Sequence, residues 1–118
     1  MNYTEERPWG KFENLLDSEY CKVKRITVKP AQRLSYQYHH KREEVWTIVL
    51  GFGTVTMDGI ESWVKKGDVI KIPTKAKHRI QNMSTEHDLV FIEVQNGTYF
   101  GEDDIVRLED DYNRKQKE

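Results

Sequence analysis

The chain has 118 residues, with 19 Lys and Arg against 20 Asp and Glu, and a net charge of −1. This length predicts one domain with one core. The balanced charge argues against nucleic-acid binding, which needs a strongly basic face, and no apolar run is long enough to span a membrane. The first residues lack the apolar core of a signal peptide, and the single cysteine, Cys21, excludes an intramolecular disulfide. We therefore expect a cytoplasmic protein that binds neither nucleic acid nor membranes.

Short runs rich in Val, Ile, Thr and aromatic residues recur along the chain and predict β-strands. Asp58-Gly59 predicts a tight hairpin turn, residues 66–68 a second turn and residues 82–88 a polar loop. Short, evenly spaced strands are typical of an antiparallel sandwich or barrel, so the chain is predicted to be all-β. The predicted strands cover residues 21–28, 45–50, 54–57, 62–64, 69–72 and 89–94.

The C-terminal segment has a different pattern. Ile105, Leu108 and Tyr112 fall near helical spacing, which predicts one or two helical turns.

With no repeat and no linker, residues 1–118 are predicted to form one domain. Its predicted parts are an N-terminal arm over residues 1–19, a core over about residues 20–96 and a tail over residues 97–118.

The densest group of polar residues is QYHHKREEVW, residues 37–46. Because side chains alternate along a strand, Gln37 and His39 share one face. Residues 40–43 are short and polar enough for a hairpin loop, so the next strand is predicted to begin at Glu44, across from His39. Imidazoles and a carboxylate together suit a divalent metal ion, and the oxygen of Gln37 adds a neutral fourth ligand.

A third strong ligand has to come from elsewhere in the chain. His78 is the preferred candidate, because it follows a predicted strand that ends at Pro73, and Pro suits a strand end. His87 competes with it but lies in the polar loop. His40 competes with His39, but strand alternation favours His39 because it pairs that residue with Gln37.

The spacing of these residues is specific. The segment at 37–51 reads Q-x-H-x4-E-x6-G, and the segment at 67–82 reads G-x5-P-x4-H-x3-N. Both resemble the two cupin motifs, which implies a double-stranded β-helix, or jelly-roll barrel. Gln37 stands where the first motif has a His, and Ala31 and Lys75 stand where the motifs have Gly.

A narrower resemblance covers nearly the whole chain. RPWGKF at residues 7–12, YCKVKRITVKPAQRLSYQYHHKREEVW at residues 20–46 and IEVQNGTYFGEDDIVRLEDDY at residues 92–112 resemble the C-terminal domain of type II mannose-6-phosphate isomerases. That domain is often fused behind a mannose-1-phosphate guanylyltransferase, in GDP-mannose biosynthesis. Val45 stands where the family signature has His, beside the ligands rather than among them.

The resemblance implies a metal-dependent aldose–ketose isomerase that interconverts mannose-6-phosphate and fructose-6-phosphate through an enediolate. Such a reaction needs an electrophile for the carbonyl, a base for the carbon-bound proton and a cation for the phosphate. The metal is expected to be Zn, Mn, Co, Ni or Fe. Its expected ligands are Gln37, His39, Glu44 and His78. Its two open positions would take sugar oxygens or water.

The base is predicted to be Glu93. Glu93 and Gln95 share a strand face with apolar neighbours, and a buried carboxyl there has a raised pKa that suits proton transfer. The alternative is that Glu93 pairs with a core Arg or points outward. Glu43 is a weaker candidate, because its loop favours solvation.

Arg42 is the preferred phosphate ligand, because it lies between two metal ligands and matches the Arg of the family signature. Arg33 and Arg107 follow, the second in the matching tail. Tyr99 is a candidate to line the sugar site, since sugars stack on aromatic rings. The resemblance also implies a homodimer.

Two other classes of protein stay open. One is a non-catalytic cupin that binds a sugar phosphate or a metal, suggested by the departures at Val45 and Lys75. The other is a different metal-dependent cupin enzyme, such as an oxygenase, with the same ligands.

Overall fold

Residues 3–112 are described by the structure, a computed structural model. Within this range the chain is all-β, and no helix long and apolar enough to cross a membrane occurs there. The strands are β1 (Tyr3–Arg7), β2 (Gly10–Asp17), β3 (Cys21–Val28), β4 (Tyr36–Tyr38), β5 (Arg42–Leu50), β6 (Phe52–Met57), β7 (Ile60–Lys65), β8 (Val69–Ile72), β9 (His78–Asn82), β10 (Leu89–Gly97) and β11 (Val106–Glu109).

Two antiparallel sheets form the fold. The larger has the strand order β1-β2-β3-β10-β5-β8, and the smaller has the order β11-β4-β9-β6-β7. Neighbours in space that are distant in sequence, such as β3 beside β10, reflect crossing connections between the sheets. This arrangement confirms the predicted all-β jelly roll.

The core lies between the sheets and follows the period-2 alternation of the strands. Along β5, every second residue from Arg42 to Ile48 is buried, and along β10 the same holds from Leu89 to Gln95. The smaller sheet contributes Val55, Val64 and Ile80. Both sheets therefore turn alternate residues inward.

The predicted turns are confirmed. Asp58 and Gly59 both have positive φ, 47° and 84°, and they join β6 to β7 with Met57 opposite Ile60. This is the conformation of a two-residue hairpin whose twist matches that of the strands. The loop after Asn82 is also where the sequence predicted it.

The N-terminal arm joins the larger sheet. Its strands β1 and β2 form a hairpin, and β2 pairs with β3 from Gly10↔Val28 onward. Trp9 and Phe12 are buried against the core. The arm therefore closes one side of the sandwich.

The tail does not form the predicted helical turns. Over residues 97–112 it contains the strand β11, which pairs with β4 and places Arg107 opposite Gln37. The open edge of β4 offers unpaired backbone groups, and pairing with it overrides a weak helical pattern. Residues 1, 2 and 113–118, the ends of the predicted arm and tail, lie outside the described residues.

Candidate metal centre and adjoining cavity

Three predicted ligands meet in space. His39 follows β4, Glu44 lies on β5 and His78 begins β9, and all three side chains are buried. One ligand atom from each lies within 4.8 Å of those of the others. The imidazole centroids of His39 and His78 are 5.4 Å apart. These residues could hold a metal ion.

The hydrogen bonding of His78 determines which of its ring nitrogens is available. Nδ1 lies 2.8 Å from the carbonyl oxygen of Ala76, and a carbonyl only accepts, so Nδ1 carries the hydrogen. In the neutral ring, Nε2 then has a free lone pair. Nε2 is buried and has no hydrogen-bond partner among the described residues. A buried, unsatisfied imidazole nitrogen beside a second His and a Glu fits a metal ligand.

A strained turn contacts the backbone of the candidate ligand His39. Lys75 has φ of 69°, and its backbone N–H donates to the carbonyl of His39 at 2.8 Å. Ala31, at the other motif position where Gly is usual, has φ of 62°. Both departures from the cupin motifs therefore keep the left-handed backbone that glycine normally provides, at a steric cost.

The indole of Trp46 links two buried carboxyl groups. Its Nε1–H lies 2.9 Å from Oε1 of Glu44 and 3.2 Å from Oε1 of Glu93. Gln95 donates from Nε2 to the other oxygen of Glu93 at 2.6 Å. The strand register explains this contact, because Glu93 is opposite Trp46 and Gln95 is opposite Glu44.

The two carboxyl groups differ in protonation. Burial raises the pKa of Glu93 to about 8, and the negative charge of Glu44 adds to the rise. Burial also opposes ionisation of Glu44, but Arg42, the imidazoles of His39 and His78 and the hydrogen bond with Glu93 together hold the pKa of Glu44 below its ordinary value. At neutral pH, Glu44 is a carboxylate and Glu93 is a protonated acid. The site thus places a carboxylate that could ligate a metal ion beside an acid that can give up a proton.

Burial lowers the pKa of His39 to about 3, against the opposing effect of the Glu44 carboxylate. The charge of Arg42 contributes to the fall. His39 is therefore neutral, which is the form that binds metals.

Arg42 is not in a loop, as the sequence suggested, but is the first residue of β5 and is buried. Its Nε–H donates to Oε2 of Glu44 at 2.9 Å, and Nη2 lies 2.9 Å from Nε2 of His39. The close approach of β10 contributes to this position, because a Cβ on Gly97 would lie 2.2 Å from the carbonyl oxygen of Lys41. The strand begins at Arg42, two residues earlier than predicted, where Arg42 lies opposite Gly97 of β10.

A cavity of about 60 Å³ adjoins these ligands. Its walls carry cationic side chains from four strands and the two carboxyl residues Glu93 and Glu102. Sites for drug-sized ligands measure about 300–1,000 Å³, so this cavity admits a few water-sized groups unless side chains move. The polar and charged lining residues are Arg7, Lys24, Ser35, Gln37, His39, Arg42, Glu93, Glu102 and Arg107.

Sequence reasoning missed Lys24. Its ammonium is buried in the cavity wall, 4.1 Å from the ring centroid of Phe12 and 2.5 Å from Oε2 of Glu102. A signal was present, because Lys24 alternates with the apolar residues Ile26 and Val28 on one strand. A lysine with inward parity predicts a buried cation.

The structure does not bring every predicted residue to the site. Arg33 lies on the surface in a bidentate pair with Asp111, at 2.7 and 2.8 Å. Tyr99 is also exposed, and its hydroxyl donates to Asp103. His40 and His87 are exposed as well.

The remaining predicted residues do lie at the site. Gln95 is fully buried beside Glu93, and Arg107 lines the cavity. Gln37 lines the cavity too, and its Oε1 accepts a hydrogen bond from Ser35 at 2.7 Å. The roles given to all these residues stay predictions.

The chain is similar to curated proteins that are named for guanylyl transfer to mannose-1-phosphate and for alginate biosynthesis. It is 44% identical over 108 residues to the mannose-1-phosphate guanylyltransferase ManC of Salmonella typhimurium. It is also 44% identical over 108 residues to the alginate biosynthesis protein AlgA of Pseudomonas aeruginosa. Each match covers 92% of this chain, and the chain spans 22% of the length of each relative.

These relatives correct the predicted activity. ManC is named for guanylyl transfer, which contradicts the predicted interconversion of mannose-6-phosphate and fructose-6-phosphate. That prediction is wrong. Its error has a physical reason, because the residues behind it specify a cupin with a metal-ligand set, and one fold with one ligand set supports many chemistries.

The fold and the family are consistent with one another. A cupin-2 domain from Rhodospirillum rubrum superimposes with a TM-score of 0.74 at 15% identity, covering 85% of this chain and 72% of that one. This likeness shows the cupin fold. The family model described as mannose-6-phosphate isomerase C-terminal matches residues 1–110. The chain therefore belongs to this family of cupin domains.

Proposed function

We propose that this domain binds one divalent metal ion and holds the phosphate group of a phosphorylated sugar in the adjoining cavity, which widens when its side chains move. His39, Glu44 and His78 hold the ion, with Gln37 beside them. The bound ion supplies a Lewis acid for a sugar oxygen. The convergence of three buried ligand atoms within 4.8 Å, next to a cavity with cationic walls, is the observation that carries the proposal.

The donor set supports a metal site. Two imidazoles and a carboxylate suit divalent first-row metals, and these ligand types do not distinguish Zn, Mn, Co, Ni and Fe. The bare Nε2 of His78 is a buried acceptor without a protein partner among the described residues. A metal ion would satisfy it.

The charges of the cavity support an anionic ligand. Lys24 and Arg42 are buried cations in its wall, and each is paired with a protein carboxylate, Glu102 and Glu44. A phosphate group would offer the same pairing, with more acceptor oxygens. Glu102 therefore occupies a position that suits an anion.

The class of ligand comes from the relatives. The name of ManC specifies mannose-1-phosphate, and the family description specifies mannose-6-phosphate. A mannose phosphate is therefore the proposed ligand, with Glu93 as the acid that holds a proton beside it. We also propose a cytoplasmic location, supported by the free thiol of Cys21.

Calorimetric titration of the metal-loaded chain with mannose-1-phosphate, mannose-6-phosphate and mannose tests the ligand class. We expect a mannose phosphate to bind and mannose to bind far more weakly. Lys24→Gln should weaken phosphate binding by about 10–100-fold, as expected for loss of a charge-assisted hydrogen bond. Arg25→Gln is the matched control, because Arg25 is the next residue on β3 and pairs with Glu13 on the outer face.

Two results would overturn the proposal. One is the absence of binding by either phosphate to metal-loaded protein. The other is equal affinity for mannose and its phosphates, because that would remove the role of the cationic walls.

The partner expected from the resemblance, a second copy of the chain, is also a proposal. The β7 strand is an edge of the smaller sheet, and its Trp63 is 65% exposed and stacked on Phe52 at 6.3 Å. An open edge beside exposed rings suits pairing with another copy. We expect light scattering to give a dimer mass that Trp63→Glu reduces to a monomer mass, and a monomeric parent chain would contradict the pairing.

A further inference from the structure

Arg42 blocks the ligand atoms that a metal ion needs. Its guanidinium contacts His39 through Nη2 and Glu44 through Nε, both at 2.9 Å. The side chain is 6% exposed, so these contacts are shielded from water. The third nitrogen, Nη1, is buried without a hydrogen-bond partner among the described residues.

The contact with His39 determines where the imidazole lone pair is. A guanidinium has only donors, so Nε2 of His39 is the acceptor. The neutral ring then carries its hydrogen on Nδ1, which lies 3.6 Å from Oε2 of Glu44. Neither ring nitrogen has a lone pair left. A metal ion can therefore bind His39 through either nitrogen only after the Arg42–His39 bond breaks.

The charges lead to the same result. In the arrangement described, the guanidinium is the closest positive charge to the buried carboxylate of Glu44. A divalent ion on Glu44 would bring a second positive charge next to the first, and like charges repel strongly where water is excluded. Metal binding and the present position of Arg42 oppose each other.

We propose that Arg42 is the counter-cation of the metal-free site, and that it leaves His39 and Glu44 when a metal binds. Arg42 lines the cavity, so its released guanidinium binds the phosphate group there together with Lys24. This inference rests on the proposed function and adds an order and a coupling to it. Because coupling between two sites is reciprocal, metal raises the affinity for phosphate and phosphate raises the affinity for metal.

The first test measures the affinity of chelator-stripped full chain for Co²⁺ by absorption. Arg42→Met and Arg42→Gln remove the competing charge, one without and one with a hydrogen-bonding group. We expect both to bind Co²⁺ at least about tenfold more tightly than the parent chain, within the usual range of coupling between sites. Without metal, both should melt at a lower temperature, because Glu44 loses its counter-cation. Arg25→Gln, on the outer face, should match the parent in both measurements.

The second test measures inorganic phosphate binding with and without Co²⁺. In the parent chain we expect Co²⁺ to raise phosphate affinity about tenfold. In Arg42→Gln, the metal should leave phosphate affinity nearly unchanged, apart from direct contact between phosphate and the ion.

The outcomes of these tests distinguish a failure of the proposed function from a failure of the inference about Arg42. A parent chain that binds no Co²⁺ overturns the proposed function and this inference together. Suppose that the parent chain binds both Co²⁺ and phosphate, and that the folded Arg42 variants bind Co²⁺ no more tightly than the parent. This result overturns the inference about Arg42 and leaves the proposed function standing. If Co²⁺ affinity rises in both variants but phosphate affinity in the parent does not depend on metal, the competition holds and the proposed coupling is wrong.

Discussion

The two ends of the β5–β10 pair use the same strand geometry for different purposes. At one end, Ile48 lies opposite Phe91 and both are fully apolar core residues; at the other, Glu44 lies opposite Gln95 in a network of buried polar groups. Trp46, between them, packs on Phe91 with ring centroids 4.7 Å apart and donates to Glu44. Alternation turns all these side chains inward. The apolar end stabilises the fold, and the cost of burying charge at the polar end is consistent with a binding site.

The largest effect on stability is expected from a substitution at the apolar end of the β5–β10 pair. Leu89 is fully buried at the start of β10, far along the strand from Gln95. Leu89→Ala should lower the free energy of unfolding by about 2–5 kcal/mol, because it removes apolar contacts and leaves a cavity. Denaturant unfolding would measure the loss. Co²⁺ affinity of the folded variant should equal that of the parent, and a loss of affinity would show that the two ends are not separable.

A smaller effect is expected where residues of the tail line the cavity. Glu102→Gln leaves Lys24 buried with a weaker partner, and because the Glu102 side chain is 45% exposed we expect a loss of only about 1 kcal/mol at pH 7. Burial opposes ionisation of Glu102, but the ammonium of Lys24 holds the pKa of this carboxyl below its ordinary value.

The pH dependence of that loss follows from the sign of the shift. A lowered pKa in the folded state stabilises the fold above the ordinary carboxyl pKa of about 4.3, and the stabilisation disappears as pH falls through the folded value. Unfolding of the parent and Glu102→Gln at several pH values should therefore give a gap that narrows below about pH 4. A gap that is constant with pH would contradict the Lys24–Glu102 interaction.

The smallest effect is expected at two turns in which a residue other than glycine has a left-handed backbone. Ala31 donates its N–H to Ser84, and Lys75 donates its N–H to His39, both with left-handed backbone. A glycine at either position would relieve the strain in the folded state, but it would also increase the entropy of the unfolded chain. Each substitution should therefore raise the free energy of unfolding by roughly 0.5 kcal/mol. Thermal melts would detect the change. If Lys75→Gly also changes Co²⁺ affinity and Ala31→Gly does not, the turn after β8 positions His39.

Much of the fold could be predicted from local patterns. The strands at residues 21–28 and 69–72 were predicted with the bounds that the structure gives, because both runs are rich in β-branched residues. The strand β11 could not be predicted, because it depends on pairing Arg107 with Gln37, 70 residues earlier in the chain.

The meeting of His39, Glu44 and His78 could be predicted from spacing and alternation, but the hydrogen-bond partners of these residues could not. Arg42 has the same parity as Glu44 and Trp46, which hinted at an inward side chain. Its hydrogen bonds to His39 and Glu44 require the folded strand, so the sequence predicted a polar hairpin loop there instead. The activity could not be predicted from the sequence, because it depends on a ligand that no local pattern specifies.

The most direct test is the stoichiometry of Co²⁺ binding in the parent chain, His78→Ala and His87→Ala. His78 is buried at the proposed centre, and His87 is exposed in the loop after β9, so the second variant is a matched control. We predict one ion per chain in the parent and in His87→Ala, and at least about a hundredfold loss of affinity in His78→Ala, as expected for removal of a ligand. Equal binding by all three proteins, or none by the parent, would contradict a metal centre at His39, Glu44 and His78.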